Sequence, residues 1–146
     1  MKAEKIFTAD VKALIVQAIE KAELSTSGEV RLHVDDYCKD EVLNRAAFIF
    51  EKLEMHKTDL RNGVLFYVAV VDRKFAILGD VGINEKVADD FWDGVKDVVL
   101  SGFKEDKHAE ALSAGIIKAG EQLKAHFPYQ EDDVNELDNE ISFGDD

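Results

Sequence analysis

The side chains that could do chemistry in this chain are mostly carboxylates. One group stands above the background: Asp80-Val81-Gly82-Ile83-Asn84, followed by Asp89-Asp90, with Asn62-Gly63 and Glu29 brought in by topology. Carboxylate, amide and backbone oxygens on a glycine-containing loop suit a hard cation such as Ca²⁺ or Mg²⁺. The segment is not an EF-hand loop, because the alternating ligand positions and the closing Glu are absent. The same residues have ordinary structural uses. Asp89 and Asp90 are what a helix N-terminus prefers, and Asp80 and Asn84 are common turn residues. Asp35-Asp36 and Asp72 form a poorer second group, read as solvated loop acids because nothing glycine-rich accompanies them.

Other chemistries find less support. The four histidines, at 33, 56, 108 and 126, share no metal-ligand spacing, and Cys38 has no cysteine neighbour. There is no Gly-x-Ser-x-Gly elbow, no Walker loop and no Gly-x-Gly-x-x-Gly, and Gly79-x-x-Gly82 is too short for a phosphate cradle. Trp92 lies at helical spacing from Val95 and Val99 and reads as core.

The elements that must position these residues follow from periodicity. Thr8 is a good N-cap, and Val11, Leu14, Ile15, Ala18, Ile19 and Ala22 predict a helix over about 9–24. Residues 29–35 alternate, with Val30, Leu32 and Val34 on one face and Glu29, Arg31 and His33 on the other, as a strand with at least one buried face does. A second helix is expected near 39–54. The apolar run Val64–Val71, entered through Asn62-Gly63, predicts a central strand over 63–71. Asp72-Arg73 leaves room only for a tight turn into a strand over 74–79, hence an antiparallel hairpin. Helices near 86–103 and 107–126 complete an α-β-α-β-β-α-α order. That order implies an α/β fold: an α/β/α sandwich around a small mixed sheet. A helical crossover makes the first two strands parallel, so Glu29, Asn62-Gly63 and Gly79-Asp80 should meet at one end of the sheet.

Composition bounds the function. Lys and Arg total 18 against 31 Asp and Glu, a net charge of −13 over 146 residues, which opposes phosphate backbones and anionic membrane surfaces. No nucleic-acid partner is expected. The longest apolar run has eight residues, against roughly 20 for a membrane-spanning helix. With no cleavable apolar leader and a single cysteine, the expected location is cytoplasmic. The expected division is a domain over 1–128 and an acidic tail over 129–146. That tail is dense in acids and without periodicity, but its Ile141-Ser142-Phe143 could dock back onto the domain.

The pairing of Arg61-Asn62-Gly63-Val64-Leu65 and Asp72-Arg73-Lys74 with Gly79-Asp80-x-Gly82-Ile83-Asn84 and Asp89 resembles the TPM domain family, over roughly residues 8–127. The resemblance implies a sandwich that is Rossmann-like in appearance, with a cleft lined by these loops. It also implies a divalent-cation site, as reported for some members, and acid phosphatase activity, as associated with a plant member. By position the motif residues are Asn62, Gly63, Gly79, Asp80, Gly82 and Asp89, with Glu29 opening the first strand. Many members carry an aromatic residue where this chain has Asp80, and the added carboxylate favours a cation. Many are exported or membrane-anchored, and this sequence shows neither signal.

Two functions compete. One is a divalent-cation-binding and protein-interaction module, with Ca²⁺ favoured over Mg²⁺, an unidentified protein partner, and Asp80, Asp89, Asp90, Asn84, Asn62 and Glu29 as candidate ligands. The other is a metal-assisted phosphatase acting on phosphate esters, a reading that rests on the resemblance.

Overall fold

The computed structural model describes residues 2–130 and 137–144. A short helix α1 (Ala3–Ile6) precedes α2 (Ala9–Glu23), which Thr8 caps by accepting the Val11 N–H at 3.3 Å. Strand β1 (Glu29–Asp35) leads to α3 (Val42–Lys52), whose N-cap Glu41 accepts from Asn44 N, and a 3₁₀ turn follows at Met55–Lys57. The hairpin β2 (Gly63–Ala69) and β3 (Lys74–Gly79) turns through Arg73, whose φ of 56° supplies the left-handed step that its loop needs. Then come α4 (Val81–Asn84), α5 (Asp93–Lys104), α6 (His108–Leu123) and β4 (Ser142–Phe143).

The sheet has the order β3-β2-β1-β4. β1 runs parallel to β2 and to β4, and β2 runs antiparallel to β3. Helices cover both faces. On one side Val30, Leu32, Val34, Val64, Phe66, Val68 and Ile77 meet the apolar stripes of α2, α5 and α6. On the other, Leu65, Tyr67, Ala69 and Ala76 meet Ala46, Ile49 and Phe50 of α3, with Met55 and Leu137. Helix α6 fits between α2 and α5 because it carries small residues at both contacts. A Cβ on Gly120 would lie 2.8 Å from the Ala22 Cβ, and one on Gly115 would lie 2.5 Å from the Val99 Cγ2. The sandwich is thus the expected α/β/α arrangement, and Trp92 is buried in the larger core as expected.

Three expectations change. The helix expected over 86–103 begins at Asp93: Phe91 N–H bonds to Ala88 and Asp93 N–H to Asp90, so 86–92 is a pair of turns that seats Phe91 and Trp92 without helix. Residues 81–84 are a helical turn started by Asp80, where a loop was expected. The apolar trio near the end does dock: Ser142–Phe143 pair with His33–Val34, Gly144 N–H bonds to Val34 O, and Ile141 packs on the larger core. Residues 131–136 and 145–146 of the acidic tail expected over 129–146 lie outside the described residues. Among those described, no helix is long and apolar enough to cross a membrane.

Because Leu137 is buried and its N–H serves the buried Glu29 carboxylate at 2.7 Å, the returning segment fills a structural position. Ending the chain at Gln130 should lower unfolding stability by more than about 2 kcal/mol in denaturant melts, through lost burial and a stranded carboxylate.

Candidate functional site

Polar side chains gather at both ends of the parallel strands. At the amino end, the register Glu29↔Gly63 and Val64↔Gly79 brings Glu29, Asn62 and Asp80 to one rim, as strand direction requires. Each is already engaged. Glu29 is buried, and its Oε1 accepts the Leu137 N–H. Asn62 receives Glu29 N–H on its carbonyl at 3.3 Å, and its amide donates to Ser27 Oγ at 3.4 Å. Asp80 is buried, and its two oxygens accept Arg61 Nε at 2.8 Å and Arg61 Nη2 at 2.9 Å, with Val81 N–H at 2.7 Å.

The motif glycine next to it has a steric reason. Gly82 N–H bonds to Arg61 O at 2.9 Å, and a Cβ there would run into the Leu60 and Arg61 carbonyls. Arg61 itself takes φ of 50°, a left-handed conformation held in place by these two bonds to its neighbouring loop. Asn84 donates to Gly79 O at 3.1 Å. Asp89 and Asp90 are exposed on the turn before α5.

A cleft of about 380 Å³ opens beside Asp80, walled by Glu51, His56, Arg61 and Asn84 among others. Glu29, Asn62, Asp89 and Asp90 are not part of its lining. Among the described residues, no three His, Cys, Asp or Glu side chains converge closely enough to hold a metal ion. Of the six candidate ligands, only Asp80 and Asn84 therefore share the cleft. Glu51 and His56, which do line it, come from the end of α3 and the 3₁₀ turn and carried no sequence signal of their own.

At the same end, Glu23 lies close to Glu29 and has a buried Oε2 that finds no hydrogen-bond partner among the described residues. Burial, together with the Glu29 and Glu20 charges, pushes its carboxyl up to about 7, although hydrogen bonds with Val30 and Asn139 act in the opposite direction.

The carboxyl end overturns the reading of Asp35 as a solvated loop acid, whereas Asp72 is exposed on the hairpin turn as expected and Asp36 is half-buried in its loop. Asp35 is 3% exposed and is the hub of a polar network. Its Oδ2 accepts Arg45 Nε at 2.9 Å and the Tyr67 hydroxyl at 2.5 Å, and its Oδ1 lies 2.8 Å from His33 Nε2. His33 Nδ1 lies 2.9 Å from Ser142 Oγ, and the His33 ring stacks on Tyr67 with an interplanar angle of 8°. Burial alone would raise the Asp35 pKa, but the His33, Arg45 and Tyr67 hydrogen bonds outweigh it and hold the carboxyl well below its usual range. Burial and the same carboxylate push the Tyr67 phenol far upward, so it stays a donor. Asp36 accepts the Ala3 N–H and Asp72 the Cys38 N–H, each at 2.7 Å. The misreading of Asp35 has one cause: β1 was allowed a solvent-facing side, which Arg45 of α3, Tyr67 of β2 and the returning residues 137–144 enclose. A tyrosine in an otherwise apolar buried strand was the available signal, since its hydroxyl must find a partner.

The family model of the TPM domain matches residues 1–122. The chain belongs to the TPM domain family. The solved NMR structure of BA42 protein from the psychrophilic bacterium Bizionia argentinensis is similar at 45% identity, covering 98% of this chain and 99% of that one, with a TM-score of 0.92. No curated protein matches the sequence. Gly63, Gly79, Asp80 and Gly82, the positions on which the sequence resemblance rests, clamp the strand ends and the short α4 together at the amino end of the sheet.

Two outcomes follow from these geometries. Between pH 4.5 and 7 the folded chain binds more protons at Glu23 than the unfolded chain does, so this group makes stability fall as pH rises through that window. Glu23→Gln should remove that slope and raise stability at pH 8 by roughly 1–2 kcal/mol, read from urea melts at both pH values. Asp35→Ala strands Arg45, Tyr67 and His33 together and should cost roughly 3–5 kcal/mol by the same measurement.

Proposed function

We propose that this TPM domain is a protein-interaction module that takes up divalent cations, Ca²⁺ in preference to Mg²⁺, in the cleft beside Asp80. The observation that carries the reading is the composition of that cleft. The Asp80 and Glu51 carboxylates and the Asn84 amide give it oxygen-donor chemistry, and the exposed Val81 at its wall and Leu60 on the adjoining loop give it apolar contact area. A net charge of −13 concentrates cations around the chain. Donors from separate loops fit the irregular coordination of Ca²⁺ better than the strict octahedron of Mg²⁺.

The fit has a condition. Both Asp80 oxygens hold Arg61, so an ion must displace the guanidinium. Arg61 is on the surface, its side chain 44% exposed, and it can withdraw by rotating about its own bonds. Arg61 is therefore a built-in competitor for the cation, and the Arg61–Asp80 pair ties cation uptake to the shape of the Leu60–Val81 surface that a partner would meet.

The test is a Ca²⁺ titration of the full chain in 0.15 M salt, which screens diffuse attraction by the acidic residues and leaves direct coordination largely intact. Arg61→Gln should tighten Ca²⁺ binding severalfold, Asp80→Asn should abolish it, and Asp97→Asn, on the exposed face of α5, should leave it unchanged. No heat and no thermal shift with Ca²⁺ in Arg61→Gln would overturn the cation half of the proposal. Phosphate-ester hydrolysis above a metal-only blank, lost in Asp80→Asn, would replace the module reading with the phosphatase one.

A further inference from the structure

We infer that Ser142 is a nucleophilic hydroxyl, activated by His33 and oriented through Asp35, in a site for small anionic carboxylic esters. The inference stands apart from the cleft at Asp80, since it concerns the opposite end of the sheet and different chemistry. Three observations carry it.

The first is the hydrogen-bond order. Ser142 Oγ lies 2.9 Å from His33 Nδ1, and His33 Nε2 lies 2.8 Å from Asp35 Oδ1. An ionised carboxylate can only accept, so the ring proton sits on Nε2 and the Nδ1 lone pair faces the Ser142 hydroxyl. That is the hydroxyl–imidazole–carboxylate arrangement by which a serine loses its proton as it attacks. The two ring nitrogens are exchanged relative to the usual arrangement of such triads, which leaves the direction of proton flow unchanged.

The second is restraint. His33 is 4% exposed, stacked on Tyr67, and Asp35 is fixed from its other side by Arg45 and the Tyr67 hydroxyl. An imidazole so held has one orientation, and lone-pair direction is what a general base must keep. Ser142 is half-buried on the edge strand β4.

The third is the space in front of the hydroxyl. Ser142 and His33 line a cavity of about 250 Å³ whose other walls include Arg45, Lys52, Ile49 and Phe143. Of the two cations on these walls Arg45 is bound to Asp35, which leaves Lys52 to favour an anionic substrate and a developing oxyanion, and Ile49 with Leu53 gives apolar contact to a short acyl chain. The volume restricts the ligand to a small one.

In the reaction, Ser142 Oγ attacks the acyl carbon while its proton passes to His33 Nδ1. The bond from the acyl carbon to the alcohol oxygen then breaks, and the alcohol leaves with that proton. A water molecule, deprotonated by His33, attacks the acyl-serine ester, releases the carboxylic acid and returns the proton to Ser142. Nothing beyond ester and water is consumed. Ser142 and His33 are the catalytic residues, and Asp35 is a positioning residue.

The experiment exposes the full chain to 4-nitrophenyl acetate and to diisopropyl fluorophosphate, with intact-mass and peptide-mapping readouts. One adduct per chain, mapped to Ser142, is expected, with nitrophenolate release at least tenfold above that of Ser142→Ala. Ser142→Cys should keep the release and move the acetyl group to sulfur. Asp35→Asn should lower the rate and shift its pH profile, which a role in folding alone would leave in place. Adducts confined to lysine, tyrosine or Cys38, or equal rates in the parent chain and Ser142→Ala with circular dichroism unchanged, would overturn the inference.

Discussion

A carboxylate taken out of water must be surrounded by donors, and Asp35 imposes that requirement on much of this protein. Its partners come from β1 itself, from α3 and from β2, and through His33 the network reaches β4. Replacing any one of them leaves a buried polar group unsatisfied, so these elements share one geometry. The apolar cores on either face tolerate a range of shapes, whereas this network accepts a single register of β1 against β2 and a single placement of α3 over the sheet.

The order of strands and long helices, the parallel pairing and the hairpin were legible because they depend on period and on strand direction. Val64 to Val71 could only be a central strand, and the antiparallel return of β3 had to bring Gly79-Asp80 to Asn62-Gly63. What escaped the sequence depends on contacts between distant residues. Glu29, His33 and Asp35 alternate as a solvent-facing edge would, and only the arrival of α3 and of residues near 142 turns them inward. At the rim, residue types suggested ligands, but the arginine that takes up Asp80 sits nineteen positions away with no local mark of its role. The turns over 86–92 were hidden because their apolar residues keep helical spacing although the backbone does not.

The TPM motif gains a physical meaning from this arrangement. Gly82 lets one loop touch the backbone of another, and the Asp80 side chain starts α4 while holding Arg61 in an unusual backbone conformation. Closure of the strand ends is therefore achieved by backbone contact and one bidentate ion pair, with few apolar side chains. Such a junction can rearrange at its surface, through Arg61, without disturbing the cores below it.

β4 has a consequence for how the protein is made. β1 is covered on its outer side by a strand 109 positions further along the chain, and until that segment arrives β1 is an open edge. An unpaired edge with apolar residues on one face is a template for pairing with other chains. The most distant contact in the sheet is thus also the one that conceals its most adhesive surface, so the interval between forming β1 and delivering residues 142–143 is when this molecule is most exposed to misassembly. A chaperone that shelters nascent chains would have its natural target there, along the bare side of β1.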